Sequence, residues 1–405
     1  MNFLNLKEVQ AKYQEITKKG YSLDLTRGKP HSDQLSLSNK VLEYSPENLL
    51  ITNEDIRNYG DILGLTECRK IGAELLECSE DLIIAGGNSS LTLMYQYLAS
   101  LFFHGYGKEP WSHLERVSIL CPVPGYDRHF KLCEEFGLNM VQVPLTGSGP
   151  NMQFVEDLVM NDDSIKGIWC VPKHSNPTGE IYSNECVEKL LDIAKLKEGD
   201  FRILWDNAYS VHDFSDSKEL INIFDLAKEK NCLNSVVGFA STSKITFAGG
   251  GIGFLALSEE NLKIFLKHYA AMVIGPDKIN QQRHINFFKD IGGIQNHMSK
   301  HAEIIRPKFE CVFDWLSKQE HGTWTKPTGG YFVSFMAKKG LAKEIISLAE
   351  SAGLKLTQAG ATYPYGIDSG DSNIRIAPTA CSLEELNVAM EIFVVCLSLA
   401  TLKNS

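Results

Sequence analysis

IKGIWCVPKHSNPTG, residues 165–179, is an apolar run of seven that stops at a polar turn. Too short for a helix and bounded by turn residues, IKGIWCV reads as a buried strand. The pattern recurs downstream in FRILWDNAY (201–209) and SVVGFASTSK (235–244), each an apolar run ending in polar side chains. Working outward, DLIIAG (81–86), VSILCP (117–122), MVQVPL (140–145) and GFLALS (253–258) complete a set of seven strands. Between them lie helical patterns such as SSLTLMYQYLASLFF (89–103) and NECVEKLLDIAKLK (184–197). Strands alternating with helices of that length predict an α/β fold with a mostly parallel seven-stranded sheet. Ligands of such sheets bind beyond the carboxyl ends of the strands, which is where HSNPTG, NAYS and STSK fall.

Beyond residue 260 the pattern changes. Residues 286–319 read as one long helix or a pair, GGYFVSF (329–335) and NIRIAP (373–378) as strands, and residues 341–353 and 383–402 as helices. These predict a smaller α+β domain. The expected division is an N-terminal arm and part of the small domain over 1–50, a large domain over 51–298 and the small domain over 299–405.

Composition sets the bounds. The chain has 405 residues, 43% hydrophobic and 22% charged, which suits a soluble globular protein. A formal net charge of −10, with no basic run of five, argues against a nucleic-acid partner. Residues 1–19 lack the apolar core of a signal peptide. The apolar run 388–402 is interrupted by Glu391 and reads as a buried helix too short to span a bilayer. Ten cysteines without a C-x-x-C pair fit reduced thiols in a cytoplasmic protein, and no Cys/His spacing suggests a metal.

The polar groups at the strand ends point to chemistry. Lys244 follows a buried strand and precedes a glycine-rich turn, a setting for an amine that forms an imine. Asp206 ends the run ILW, where a carboxylate can keep a pyridinium nitrogen protonated. Tyr209 and Asn176 can donate to a ring oxygen, and Gly86-Gly87-Asn88-Ser89-Ser90 before a helix offers N–H groups to a phosphate, with Ser241 and Ser243 as further hydroxyls. Tyr126 is the candidate to stack on a ring, with Phe130 as competitor. Arg375, within a strand, can grip a carboxylate with both arms. Each has a plainer alternative: a solvated loop lysine, a capping aspartate, a packing tyrosine, an Asn-Pro turn, an interlobe salt bridge. Taken in order, the set holds the parts needed for pyridoxal phosphate.

LTRGKP (25–30), YGDILGL (59–65), GGNSSL (86–91), CPVPGYD (121–127), HSNPTG (174–179), WDNAY (205–209), STSK (241–244), PTGGYF (327–332) and ATYPYG with NIRIAPT (361–379) follow one another in family order. By these motifs the chain resembles class I pyridoxal-phosphate-dependent aminotransferases of fold type I, nearest a divergent aspartate aminotransferase subgroup related to domains of certain bacterial regulators. The resemblance implies Lys244 as Schiff-base lysine and proton shuttle, and Asp206 as partner of the pyridine nitrogen. It implies Asn176 and Tyr209 on the ring oxygen, Asn88, Ser89 and Ser241 on the phosphate, Arg375 on the substrate α-carboxylate and Gly28 in the loop over the substrate. Tyr59 matches a tyrosine that reaches the phosphate of the neighbouring subunit, which implies a homodimer with shared sites. Amino-acid and 2-oxo-acid substrates, aspartate and 2-oxoglutarate in ping-pong order, are implied in the same way. A different amino-acid specificity and a lyase on the same cofactor are the alternatives. An effector-binding module would need a basic helix-turn-helix before residue 20, and that stretch carries none.

Two departures stand out. Gly251 occupies the place of an arginine that neutralises the phosphate in the family, which turns attention to Lys278 and Arg283 as substitutes. The family's second arginine, which reads a substrate's side-chain carboxylate, has no clear match; Arg27, Lys29, Arg128 and Lys173 are the candidates.

Overall fold

The computed structural model describes residues 5–43, 50–51, 54–197 and 199–405. Residues 1–4 and 44–49, part of the expected N-terminal arm, lie outside the described residues. All seven expected strands form: β1 (Ile83–Ala85), β2 (Ser118–Val123), β3 (Asn139–Pro144), β4 (Ile165–Cys170), β5 (Arg202–Asp206), β6 (Val236–Ser241) and β7 (Gly253–Ala256). They make one sheet in the order β1-β7-β6-β5-β4-β2-β3. Only β7 runs antiparallel to its neighbours β1 and β6; the other pairs are parallel.

Burial of both sheet faces explains the continuous apolar runs. Side chains alternate between two cores. Leu120, Ile168, Cys170, Ile203 and Trp205 pack on one face. Ile119, Cys121, Trp169, Leu204 and Phe239 pack on the other. A one-residue slip would exchange the two sets, so register is strongly specified. That register pairs Cys170 with Trp205 and Asp206 with Phe239, bringing the ends of β4, β5 and β6 level.

The second lobe is built on a three-stranded antiparallel sheet of β8 (Gly322–Trp324), β9 (Val333–Ala337) and β10 (Asn373–Ile376). The strand expected over 329–335 starts only at Val333. Residues 328–330 instead reach back to the large sheet's loops, where Phe214 N–H donates to the Thr328 carbonyl at 3.0 Å and Gly330 N–H to the His212 carbonyl at 3.0 Å. The helix over 286–319 is a pair, Lys278–Phe288 and Ile291–Leu316. The chain breaks at Lys289 (φ 66°), and Asp290 caps the second helix through Gly293 N–H. Along that second helix the core changes: Ile294 and Met298 pack with the large sheet, Ala302, Ile305 and Phe309 with the small lobe.

The C-terminal helix is longer than the apolar run suggested. It spans Leu383–Lys403, 21 residues, enough by length and composition to cross a bilayer, yet 67% of its apolar window is buried within the protein. Glu391, the interruption in that run, pairs with Lys12 at 3.0 Å and ties the helix to the N-terminal helix Leu6–Lys18. All ten cysteines are free, and eight are buried.

Phe309 is fully buried where the long helix enters the second core. Phe309→Ala is expected to cost about 3–5 kcal/mol. Leu196→Ala, at a largely exposed position, is expected to cost about 0.5 kcal/mol or less. Chemical denaturation of the two variants checks the contrast.

Candidate active site

At the carboxyl edge of the sheet, a cavity of about 260 Å³ is lined by Tyr126, Asn176, Tyr209, Lys244 and Arg375, with Arg27–Lys29 and Phe332 on its wall. Five residues proposed from separate stretches of sequence therefore share one space. Arg27, Lys29, Arg128, Lys244 and Arg375 set five cations around it against the single carboxylate of Asp127.

Asp206 ends β5 and is 2% exposed. Its Oδ2 lies 3.0 Å from His129 Nε2, and its Oδ1 is buried with no hydrogen-bond partner. A buried carboxylate oxygen left this way is costly unless a donor meets it. His129 stacks on Trp169 at 4.0 Å between centroids, so the ring is held in place from its face as well as its edge. His129 went unnoticed in the sequence. Its only signal is its place three residues after Tyr126, in the helix Asp127–Glu135.

The Asn176 turn is fastened from beneath. Asp213 takes His174 Nε2 at 2.8 Å and Lys173 Nζ at 2.7 Å, and these partners hold its carboxyl well below the usual range despite burial. Lys173 is thereby committed to Asp213 and does not line the cavity, which removes it from the candidates for reading a substrate's side chain. Asn176 accepts from Arg375 Nη1 at 3.4 Å. Arg375 also donates to the Thr26 carbonyl at 3.2 Å and to Thr357 Oγ1 at 3.3 Å, lies over the Phe332 ring, and faces Asp127 at 3.5 Å. The arginine expected as a carboxylate fork thus also makes the salt bridge that was its plainer alternative. Gly28 is required where it stands, because a Cβ there would lie 2.6 Å from the Phe332 ring.

Tyr126 lines the cavity, while its competitor Phe130 is buried in the core beneath. Burial pushes the Tyr126 hydroxyl up to about 12, and burial together with Asp206 raises that of Tyr209. Both phenols stay protonated donors at neutral pH. Lys244 Nζ sits 4.8 Å from the centre of the Tyr209 ring.

The Lys244 loop is closed at its neck. Thr242 N–H donates to the Ile252 carbonyl and Ile252 N–H to Thr242 Oγ1, both at 2.9 Å. Ser243 Oγ donates to the Asn88 carbonyl, Asn88 Nδ2 to the Gly249 carbonyl, and Gly253 N–H to the Gly87 carbonyl. These bonds bring Asn88, Ser241 and Ser243 beside Ser89, which caps the helix Ser90–His104 by accepting from Leu91 N–H. They form a group distinct from the lining of the 260 Å³ cavity. The neck also explains Gly251: a Cβ there would meet Ser243 N and Cα at 2.9 Å. No arginine fits at this position while the neck is closed.

Lys278, one of the two candidates for the missing charge, already has partners. Its Nζ is paired with Asp61 at 2.9 Å and donates to the Tyr59 carbonyl at 3.3 Å, which fixes the Tyr59 turn. Arg283 lies half-buried on the same helix. Tyr59 is 79% exposed and lies outside its own chain's cavity.

The family profile described as aspartate amino-transferase matches residues 4–405. The chain belongs to the aspartate aminotransferase family. An aminotransferase-named protein of Mycolicibacterium smegmatis is 44% identical over 402 residues, covering 96% of this chain and 94% of its own. Aspartate aminotransferase of Corynebacterium glutamicum is 40% identical over 402 residues, covering 97% and 93%. A crystal structure of aspartate transaminase from C. glutamicum superposes with a TM-score of 0.93 at 38% identity, covering 98% of this chain and 96% of that one. The enzyme is therefore an aminotransferase with the fold type I architecture.

Gly251→Ala in this aminotransferase is expected to destabilise it by about 1–3 kcal/mol through overpacking of the loop neck. Gly249→Ala, with no atom within 4 Å of its added methyl, is expected to change stability by about 0.5 kcal/mol or less. Thermal denaturation of the two variants side by side measures the difference.

Proposed function

We propose that this aminotransferase uses pyridoxal 5′-phosphate to move an amino group between aspartate and 2-oxoglutarate in ping-pong order. The observation that carries the substrate class is the cavity's charge: beyond Lys244 and Arg375, which the cofactor and the α-carboxylate engage, three cations, Arg27, Lys29 and Arg128, line it against one carboxylate. Such a space favours a substrate bearing two carboxylates over one with a neutral side chain. The donor set suits the cofactor: the partnerless buried Oδ1 of Asp206 fits a protonated ring nitrogen. Asn176 and Tyr209 fit the ring oxygen, Tyr126 the ring face, and Asn88, Ser89 and Ser241 the phosphate.

When bound, the cofactor supplies an aldehyde for imine formation and a protonated ring that spreads the charge left by α-proton removal. The chain's residues do the rest. Arg375 turns from Asp127 to the substrate α-carboxylate in a two-armed contact. Lys244 Nζ takes the α-proton and returns it as general base and acid. Asp206, steadied by His129, keeps the ring nitrogen protonated. Arg27, Lys29 and Arg128 receive the distal carboxylate. With no room for a side chain at Gly251, the phosphate is met by N–H groups, hydroxyls and the positive end of the helix Ser90–His104.

The exposure of Tyr59 supports its reaching the phosphate of a second copy, and with it a homodimer with shared sites in the cytoplasm. The domain division at 51–298 and 299–405 belongs to the same proposal and is supported by the change of core between Met298 and Ala302.

The test is a half-reaction screen, in which single amino acids are mixed with the loaded protein and bleaching of the cofactor band is followed. Aspartate and glutamate are expected to react fastest, with Arg128→Ala losing about tenfold or more in kcat/KM for aspartate and less for alanine. A fast response to alanine or tryptophan with none to aspartate would remove the dicarboxylate assignment.

A further inference from the structure

Joined to the backbone of Lys244 is a buried chain of polar side chains that the reaction does not use. Gln34, His301 and Tyr331 are each 1% exposed or less, and His297 is 6% exposed. His31 N–H donates to Gln34 Oε1 at 3.0 Å, which fixes the orientation of the amide, since a backbone N–H can only donate. Gln34 Nε2 must then serve the other two neighbours, Tyr331 Oη at 3.0 Å and His301 Nδ1 at 3.0 Å. The Tyr331 hydroxyl, having accepted from Gln34, turns its proton to the Lys244 carbonyl at 3.4 Å. His301, having accepted at Nδ1, carries its proton on Nε2 and gives it to the Ile245 carbonyl. His297 Nε2–H donates to the same carbonyl at 2.8 Å and lies 3.3 Å from Ser38 Oγ, so the two rings, 3.0 Å apart at Nε2, share one acceptor and do not bond each other.

Both imidazoles stay neutral. Burial pushes His301 down to about 3 and lowers His297, and a second proton on His301 would face the Gln34 amide N–H. The chain is therefore a fixed scaffold across the neutral range.

Its other end is the cavity wall. The stretch from Thr26 to Gln34 donates Arg27, Gly28 and Lys29 to the cavity lining, offers the Thr26 carbonyl to Arg375, and ends at Gln34. The same short stretch thus touches Arg375 and the cavity, and reaches the backbone of Lys244 through Tyr331.

We propose that Gln34, with Tyr331, His301 and His297, is a positioning unit that ties the cavity wall to the carbonyls of Lys244 and Ile245, so that the place of the lysine amine is set together with the wall. This extends the cofactor reading above and depends on it only for one of two readouts. Gln34→Leu removes both amide donors while filling the same space, and Tyr331→Phe removes only the hydroxyl that reaches Lys244.

Hydrogen exchange of the cofactor-free protein is expected to be about tenfold faster over 241–247 in both variants, with Ile119–Cys121 of β2 unchanged. In the loaded variants, the pH midpoint of the visible cofactor band is expected to move by about half a unit or more. Wild-type exchange over 241–247 in both variants overturns the proposal, as does a rise spread evenly over the whole chain. An unmoved band midpoint in variants whose loop exchanges faster overturns it too, because backbone would then be held without the amine. A wild-type protein that forms no band sinks the cofactor reading instead, and the exchange result alone then decides the anchor.

Discussion

A carboxylate buried at the edge of a parallel sheet is the constraint on which the rest of the site depends. Asp206 is held there by β5, whose neighbours in the sheet fix its height and direction. One oxygen has His129; the other has no partner among the described residues. Burying charge without full compensation is a cost that folding alone does not explain. On the proposed reading a cationic ring nitrogen meets that oxygen, with Tyr126, Tyr209, Lys244 and Arg375 sharing the cavity around it.

Much of this was legible in the sequence because it is local. A strand followed directly by its functional residue carries its own placement, so Asn176, Asp206, Tyr209 and Lys244 could be put at one sheet edge from pattern alone. Tyr126 was legible in a similar way, just after its strand, and Arg375 as a charge inside an apolar strand. What was not legible depends on distant parts of the chain meeting. Gly251 is required by the closed neck between Thr242 and Ile252, which no local pattern reveals. Lys278 looked like a spare cation until Asp61 was found against it. His129 reads as one more helical residue until its ring is seen under Asp206. Gln34 and His301, 267 positions apart, could not have been joined by spacing.

The resting arrangement of Arg375 bears on specificity. Its fork is already occupied in part by Asp127, Asn176 and the Thr26 carbonyl, at distances of 3.2–3.5 Å that are long for charge-assisted contacts. In the proposed function, a substrate carboxylate would offer shorter, paired contacts in place of Asp127. Asp127 holds the arginine extended over Phe332 meanwhile, which spares the reorganisation that binding would otherwise demand. The surplus of positive charge around the cavity then acts on the remainder of the substrate.

The central claim is that Lys244 is the residue joined to the cofactor. Borohydride reduction of the loaded protein, followed by proteolysis and mass spectrometry, tests it most directly. The account predicts the phosphopyridoxyl mass on the peptide containing Lys244 and on no other lysine. A mark on a different lysine, or none at all in a protein that carries the cofactor, would contradict it.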